Sequence, residues 1–265
     1  MTADTSRQTN PPGPPDPPSP PSPPSPPKKK RPSWLKGVVI GGVVVAALVV
    51  GGPFVYINFI EGDPPAELSL DSQPAPGTAA TAGGAAGGTA YATLDGTWKV
   101  ASGSQAGYRV KEVLFGQDTT AVGRTSGVTG QLVVSGTTVP SADFTVDMTT
   151  VTSDQSQRDS QFRGQIMETS RFPTATFKLT RPIDLGSVPA EGEKRTYQAT
   201  GDLTLHGVTR TVTISLDAQR AGGQIRASGQ IPVTFRDYDV SPPNIGGIKV
   251  EQNGVIEVLL NFDKS

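Results

Sequence analysis

The stretch that decides the fold is Ala199–Leu216, which reads A-T-G-D-L-T-L-H-G-V-T-R-T-V-T-I-S-L. Two runs in it alternate apolar and polar residues, which is the period of a half-buried β-strand. His206-Gly207 separates the runs, and a short X-Gly between alternating runs is typical of a β-hairpin. Glycine adopts positive φ at no steric cost, and histidine is among the few side chains that tolerate it. We predict a hairpin whose apolar face comprises Leu203, Leu205, Val212, Ile214 and Leu216.

The same alternation continues from about Asp95 to the end of the chain, with turn signals at short intervals. The predicted strands are Gly96–Ser102, Gly107–Leu114, Val122–Val134, Ala142–Asp147, Ala175–Thr180, Thr196–Leu205, Thr209–Asp217, Gln224–Phe235 and Val255–Asp263. Short strands separated by turns are typical of an antiparallel all-β domain. Closure into a barrel would remove the exposed sheet edges. We therefore predict one antiparallel β-barrel domain over residues 94–265.

One segment, Asp154–Thr169, interrupts the alternation. It has few β-branched residues, and Phe162 and Ile166 stand at the i, i+4 spacing of one helix face. This pattern predicts a short helix in the connection between two strands. Pro173 disfavours helical backbone at Phe172, so the helix is expected to end there.

The apolar strand faces can be used in two ways. A sandwich or a filled barrel packs them as a core, whereas a barrel of about eight strands can also hold one small ligand. Small residues on an inward face favour a cavity. Ala199 and Gly201 precede Leu203 on its own strand face, and Ala227 and Gly229 precede Ile231 in the same way. Glycine in a strand also marks bulges. At this point the residues leave core and cavity both open.

The N-terminal segments have a different composition from the rest of the chain. Residues 10–27 are almost all Pro and Ser, and Lys28–Arg31 is a basic run. Such a sequence cannot form a packed core. We expect residues 1–36 to be a disordered cytoplasmic tail, either simply solvated or acting as a Pro-rich ligand for a cytoplasmic partner. Residues 61–93, rich in Ala, Gly and Pro, are predicted to be a flexible linker.

Residues 37–60 contain no charge, and they are numerous enough to cross a bilayer as a helix. Trp34 and Tyr56 stand near the ends of this run, as interfacial anchors do. Basic residues precede it and acidic residues follow it, which places the tail inside and the barrel outside the cell membrane. The alternative, a cleaved signal peptide, normally has a shorter apolar region of about 7–15 residues. We predict a single-pass membrane protein with an extracytoplasmic barrel.

Composition argues against several classes of function. The formal net charge of −1 divides into +4 for residues 1–36 and −5 for the rest of the chain, and a mildly acidic main body is unfavourable for a nucleic-acid partner. The chain has no cysteine and a single histidine, His206. A thiolate nucleophile, a disulfide and the usual zinc site are therefore excluded. We expect no metal, no cofactor and no catalysis. His206 is interpreted chiefly as the hairpin turn residue, with a polar contact to a ligand head group at the barrel rim as the alternative.

A few charged residues near the predicted helix and the last loop are further candidates. Arg158 could form an ion pair or help cap the helix with Asp159, or it could meet an anionic head group, since a guanidinium suits phosphate. Arg163 and Arg171 are weaker candidates of the same kind. The carboxylates that could pair for acid–base work are Asp237 and Asp239, although Arg236 and Pro242-Pro243 favour a structured loop there.

Several motifs together resemble the YceI-like family. They are T-G-D-L-T-L-H-G-V-T-R-T-V at 200–212, Q-R-D-S-Q-F at 157–162, R-F-P-T-A-T-F at 171–177, G-T-W-K-V at 96–100 and D-V-S-P-P-N-I-G-G-I-K-V at 239–250. The resemblance covers residues 94–265. It implies a lipocalin-like antiparallel β-barrel that binds, and is able to carry, a polyisoprenoid such as a quinone or a prenyl pyrophosphate. Family members are usually released by a signal peptide, whereas this chain carries the predicted anchor.

The resemblance also implies a site. The residues expected to line an apolar cavity are Phe144, Val146, Met148, Phe162, Ile166, Met167, Phe172, Phe177, Leu179, Leu203, Leu205, Ile231, Val233 and Phe235. The head-group candidates are Arg158 and His206. Burial of an isoprenoid chain at about 0.8 kcal/mol per CH₂ would supply affinity without catalytic groups. Two alternatives are a ligand-free protein-interaction module of the cell envelope and an envelope hydrolase.

Overall fold

The computed structural model describes residues 64–72, 93–245 and 247–265. The predicted tail 1–36, the uncharged run 37–60 and most of the predicted linker lie outside these residues, so their assignments stay predictions. In the part of the chain that is described, no helix combines the length and apolar character needed to cross a membrane.

The described residues form thirteen strands in one antiparallel sheet. The strands are β1 Gly96–Val100, β2 Gln105–Leu114, β3 Gln117–Thr125, β4 Val128–Ser135, β5 Thr138–Asp147, β6 Thr174–Leu179, β7 Ile183–Asp184, β8 Arg195–Leu205, β9 Val208–Ala221, β10 Gln224–Thr234, β11 Asn244–Ile245, β12 Ile248–Val250 and β13 Asn253–Lys264. Three short 3₁₀ turns, Leu70–Ser72, Met148–Thr150 and Phe235–Tyr238, accompany them.

Eight of the strands close into a barrel, as predicted. Their order is β1-β4-β5-β6-β8-β9-β10-β13, and β13 pairs with β1 to close the ring. Strand β13 is shared between two partners, because Val255–Leu259 pairs with β2 whereas Phe262–Lys264 pairs with β1. The β2–β3 hairpin therefore continues the barrel wall at one end. Closure leaves the ring without a free edge.

The hairpin of β8 and β9 is confirmed. Leu205 pairs with Val208 across it, and His206 and Gly207 form its turn with φ of 51° and 77°. Leu203 and Leu205 are buried. The opposite face carries hydroxyl pairs such as Thr200–Thr213, whose oxygens are 2.9 Å apart. The period-2 pattern therefore predicted both faces correctly.

The single predicted strand Val122–Val134 is wrong. The structure has two strands there, β3 and β4, separated by Ser126-Gly127. A Cβ at Gly127 would lie 2.7 Å from the Thr150 hydroxyl oxygen, so this glycine marks a close approach at a turn. Strand β3 also begins earlier, directly after the tight turn at Phe115-Gly116. Only two residues, Ser126 and Gly127, join the two strands, so the sequence on either side of them reads as one strand.

The predicted helix forms, but it ends earlier than expected. Helix α1 spans Ser156–Gln161 and continues as a π-helical turn, Phe162–Ile166, in which the Met167 amide donates to the Phe162 carbonyl at 2.8 Å. Glu168 then adopts a φ of 43°, which no helix continues. The helical backbone therefore ends at Glu168, before the position at which Pro173 was expected to end it.

The barrel has two distinct ends. The helix end carries the β2–β3 turn at Phe115-Gly116, the β8–β9 turn at His206-Gly207 and the segment 235–252 between β10 and β13. The far end carries the β4–β5 turn at Gly136 and the β9–β10 turn at Gly222-Gly223. Helix α1 packs at the helix end, where Phe162 stacks on Tyr108 of β2 with ring centroids 5.1 Å apart.

Candidate functional site in the barrel cavity

The barrel encloses a cavity of about 700 Å³. Ligand sites in proteins usually measure roughly 300–1,000 Å³. Several inward-facing apolar residues remain partly exposed even though they pack against the core, among them Phe144, Phe177, Leu216, Ala227 and Val258. In a filled barrel such residues would be covered by the opposite wall at close-packed density. The apolar faces therefore surround open space.

The small residues of the inward faces have two different roles. Ala199 and Ala227 line the cavity. A Cβ at Gly201 would lie 2.4 Å from the Phe177 ring, and one at Gly229 would lie 2.5 Å from Leu216. The alanines thus widen the cavity, whereas the glycines let larger neighbours lie flat against the wall.

Nearly all the predicted lining residues line the cavity. They are Phe144, Val146, Met148, Phe162, Ile166, Met167, Phe177, Leu179, Leu203, Leu205, Ile231, Val233 and Phe235. Phe172 is outside this lining, because its ring lies against Gly207 and meets the His206 ring edge-on at 4.6 Å. Contact of these residues with a ligand stays a prediction.

The cavity reaches the surface at the helix end. Its exposed lining residues, Phe115 and Gln157, both lie there, and Phe115 is 61% exposed. At the far end the lining includes Pro189, which is buried, and Arg220, which is only partly exposed. A long apolar molecule would therefore enter at the helix end.

A polar cluster stands beside this opening. Arg158 lines the cavity and pairs with Glu112 at 3.0 Å and with Asp154. Glu112 is almost completely buried, on the inward face of β2 together with Tyr108. Asp159 accepts hydrogen bonds of 2.7 Å from the amide and the hydroxyl of Ser153, which fixes the start of the helix. Arg158 is therefore both an ion-pair partner and a group at the cavity opening.

His206 has the position of a turn residue. Its Nδ1 lies 3.2 Å from the Tyr238 carbonyl oxygen, and its Nε2 lies 3.7 Å from a Glu168 carboxylate oxygen. The side chain is not among the residues that line the cavity. As a head-group candidate it is thus separated from the opening by its packing against Phe172.

The other charged candidates also lie outside the lining. Arg163 donates to the Val151 carbonyl at 3.2 Å, and Arg171 forms a long, exposed pair with Glu168 at 3.8 Å. Asp237 belongs to a 3₁₀ turn that Asp239 ends with a φ of 55°. These two aspartates thus belong to a structured loop. Among the described residues, no group of three His, Cys, Asp or Glu could hold a metal ion.

The sequence reasoning missed the polar side of the opening. Tyr108, Glu112, Phe115 and Gln157 line the cavity but were not candidates. The signal was present in β2, where Tyr108, Val110, Glu112 and Leu114 alternate and share one face. A buried carboxylate in that series indicates a cationic partner inside the barrel, and Arg158 is that partner.

The buried phenol of Tyr108 predicts alkaline sensitivity. Burial raises the pKa of Tyr108 from 10.0 to about 12. The folded protein therefore holds this proton more tightly than the unfolded chain does. The protonated Tyr108 phenol therefore contributes fully to the free energy of unfolding below pH 10. This contribution, about 2–3 kcal/mol in all, is lost as the pH rises toward 12. Urea unfolding of the protein should show this loss, and Tyr108→Phe should remove it. Equal alkaline losses in both proteins would contradict the assignment.

Parts of the chain are similar in sequence to curated proteins. A UPF0312 protein of Vibrio parahaemolyticus serotype O3:K6 is 34% identical over 102 residues, which are 36% of this chain and 50% of that protein. Protein YceI of Escherichia coli O157:H7 is 37% identical over 79 residues, 28% of this chain and 37% of that protein. The chain thus spans half or less of the length of these curated relatives.

The fold is also similar to solved structures. A polyisoprenoid binding domain from Saccharophagus degradans, implicated in plant cell wall breakdown, superposes with a TM-score of 0.53 at 18% identity, over 64% of this chain and 98% of that one. Burkholderia cenocepacia BcnA gives a TM-score of 0.46 at 21% identity, over 58% of this chain and 95% of that one. Residues 98–262, more than half of the chain, match the YceI-like domain. This protein therefore belongs to the YceI-like family.

Proposed function

We propose that this protein is a membrane-tethered, extracytoplasmic lipid-binding protein that holds, and is able to carry, a polyisoprenoid in its barrel without catalysis. The observation that carries the proposal is the apolar cavity of about 700 Å³ that opens at the helix end. Burial of apolar chain there is favourable by about 0.8 kcal/mol per CH₂. The polyisoprenoid binding domain from Saccharophagus degradans has a similar barrel and supports this class of ligand.

The charges at the opening favour an uncharged head group. Arg158 already faces two carboxylates, Glu112 and Asp154. A pyrophosphate would have to compete with both for the guanidinium, and it would meet their like charge at close range. A quinone carries no charge and needs only hydrogen-bond donors or acceptors. We infer that a long-chain quinone fits this opening better than a prenyl pyrophosphate does.

This preference gives a prediction at Glu112. Glu112→Gln keeps the shape of the side chain but removes one of the two negative charges facing Arg158. We expect the affinity for a prenyl pyrophosphate to rise about tenfold or more, because the guanidinium becomes available to the phosphates. Quinone affinity should change little. Titration of both ligands into the full chain measures the ratio, and an unchanged ratio would contradict the head-group argument.

The ligand class is tested by native mass spectrometry of the full chain, purified from a bacterial membrane fraction in mild detergent. A co-purifying mass that matches an isoprenoid quinone supports the proposal, as does uptake of added quinone. A ligand-free protein that also takes up no added isoprenoid would refute it and favour a protein-interaction module. Turnover of an envelope substrate by the purified chain would favour a hydrolase.

The membrane tether is tested separately. It is proposed because residues 37–60 are uncharged, with basic residues before them and acidic residues after them. Protease added to cells whose outer surface is accessible should remove the barrel and leave an anchored stub. A barrel released into the medium by cleavage near residue 60 would contradict the tether and leave the ligand proposal unaffected.

A further inference from the structure

Residues 64–72, here termed the strap, pack on the outside of the barrel rather than extending into solvent. Leu68 and Leu70 of the strap form a buried cluster with Leu259 of β13, which is completely covered. Leu259 alternates with the inward-facing Val258 and Leu260, so it points away from the cavity. The strap therefore covers an apolar spot on the outer wall, although the sequence predicts a flexible linker throughout 61–93.

Polar contacts hold the first half of the strap on the same wall. Glu257 of β13 is completely buried and pairs with Arg109 at 2.5 Å and Arg124 at 3.1 Å. Arg109 also donates to the Pro65 carbonyl at 2.6 Å, and Arg124 donates to the Ala66 carbonyl. The two arginines thus join the strap to a buried carboxylate of the barrel.

The second half of the strap is held further along the same strands. The Gln230 side chain donates to Glu67 at 2.8 Å. Arg226, 2% exposed, donates to the Leu70 carbonyl at 3.1 Å. The strap thus contacts the barrel through its two leucines, through three of its carbonyl groups and through the Glu67 side chain. These contacts give it a defined position on the barrel.

The direction of the strap follows from these contacts. Pro65 lies at Arg109, which pairs with Val255 near the start of β13 and hence near the helix end. Leu70 lies at Arg226, which pairs with Asn261 toward the far end. The strap therefore meets the barrel wall on the side of the helix end and runs along the wall toward the far end.

The strap begins close to the predicted membrane run. Only three residues separate Ile60, the last residue of that run, from Pro64. Because an extended chain spans at most about 3.6 Å per residue, Pro64 lies within roughly 14 Å of Ile60. A barrel tethered through this run would thus be held too close to the bilayer to turn freely, with its helix end as the end next to the bilayer.

An exposed aromatic side chain projects at that end. Phe115, in the β2–β3 turn, is 61% exposed and lines the cavity opening. The other exposed large apolar residue of the described chain, Val188 at 38%, follows β7 toward the far end. An exposed aromatic tip next to a membrane is favourable at the interface between head groups and acyl chains.

We propose that the strap holds the barrel with its helix end against the lipid bilayer, so that Phe115 enters the interfacial region and the cavity opens toward the acyl chains. The partner is a lipid surface. The inference rests on the proposed membrane tether but not on the identity of the ligand. A polyisoprenoid could then pass between bilayer and cavity with little exposure to water.

The chain contains no cysteine, which makes single-site labelling clean. Phe115→Cys and its matched control at the far end, Val188→Cys, are each labelled with the fluorophore NBD in the full chain. The proteins are reconstituted into vesicles of phosphatidylcholine and phosphatidylglycerol, and doxyl-labelled lipids serve as quenchers. Quenching at position 115 should exceed that at 188 severalfold.

Equal quenching at the two positions, or stronger quenching at 188, would overturn the proposal. Flotation of the vesicles is measured on the same samples. Protein that fails to float refutes the tether, and with it this orientation. Protein that floats without preferential quenching at 115 refutes the orientation alone, and native mass spectrometry of the ligand remains independent of both.

A strap variant tests the cause of the orientation. Leu70→Asp places a charge in the buried cluster with Leu259 and should release the strap, whereas Ser72→Asp alters an exposed strap position and is the control. With Leu70→Asp, quenching at 115 should fall to the level found at 188 while the protein still floats and keeps its far-UV circular dichroism spectrum. Undiminished quenching in this variant would overturn the role of the strap.

Discussion

Ala227→Trp should abolish most lipid binding while leaving the barrel folded. Ala227 lines the cavity and remains partly exposed to it, so the larger side chain has room to extend inward. An indole there would occupy space otherwise available to about four CH₂ groups of a ligand. At about 0.8 kcal/mol each, this corresponds to a loss of roughly two-hundredfold in affinity.

The measurement is quinone binding by the full chain, together with the mass of any co-purifying lipid. The matched control is Thr213→Trp, because Thr213 lies on the outer face of β9 and is exposed. This control should bind as the unaltered protein does. If the Ala227 variant keeps its thermal transition and still binds lipid normally, the ligand does not occupy this part of the cavity.

Glu257→Ala should be the most destabilising single change considered. The carboxylate is completely buried and faces Arg109 and Arg124, whose side chains are 16% and 24% exposed. Without this carboxylate, the largely buried guanidinium groups of Arg109 and Arg124 have lost their anionic partner and lie beside apolar strap residues. Removal of one member of a buried ion pair typically costs about 3–5 kcal/mol. We expect a comparable fall in the free energy of unfolding in urea.

The change should act on the strap as well as on the barrel. Hydrogen exchange of the strap amides is expected to speed up in Glu257→Ala, since Arg109 and Arg124 also hold the Pro65 and Ala66 carbonyls. The control is Glu193→Gln, which breaks the surface pair of Glu193 with Arg195 and should leave stability nearly unchanged. Equal stability of the two variants would contradict the structural role assigned to Glu257.

The alternation of the strands predicted most of the barrel and most of its lining. Apolar residues at every second position, as in Leu203 and Leu205, are constrained by the pleat to one face, so the sequence alone identifies that face. His206 could likewise be assigned to the turn from the glycine that follows it. Both inferences depend on residues that are close together in the chain. The alternation of the pleat and the conformational freedom of glycine constrain such residues directly.

The features that were missed depend on contacts between distant segments. Leu68 and Leu70 are the only two large aliphatic residues of the strap, and the partner that buries them, Leu259, lies in the last strand. The run Val258-Leu259-Leu260 breaks the alternation and could have indicated an outer apolar spot. The π-helical turn at Phe162–Ile166 begins at Phe162, whose ring stacks on Tyr108 of β2, and such a contact between distant segments is not encoded in local propensity.

The packing of the strap also decides where a soluble fragment should begin. A fragment starting at Thr93 would leave Leu259 uncovered and would deprive Arg226 of its contact with the Leu70 carbonyl. Such a fragment would expose a hydrophobic patch on the outer wall of the barrel, and exposed hydrophobic patches promote association. Expression from Pro64 keeps this cover in place, so ligand measurements on material that starts there report on the cavity rather than on an exposed outer wall.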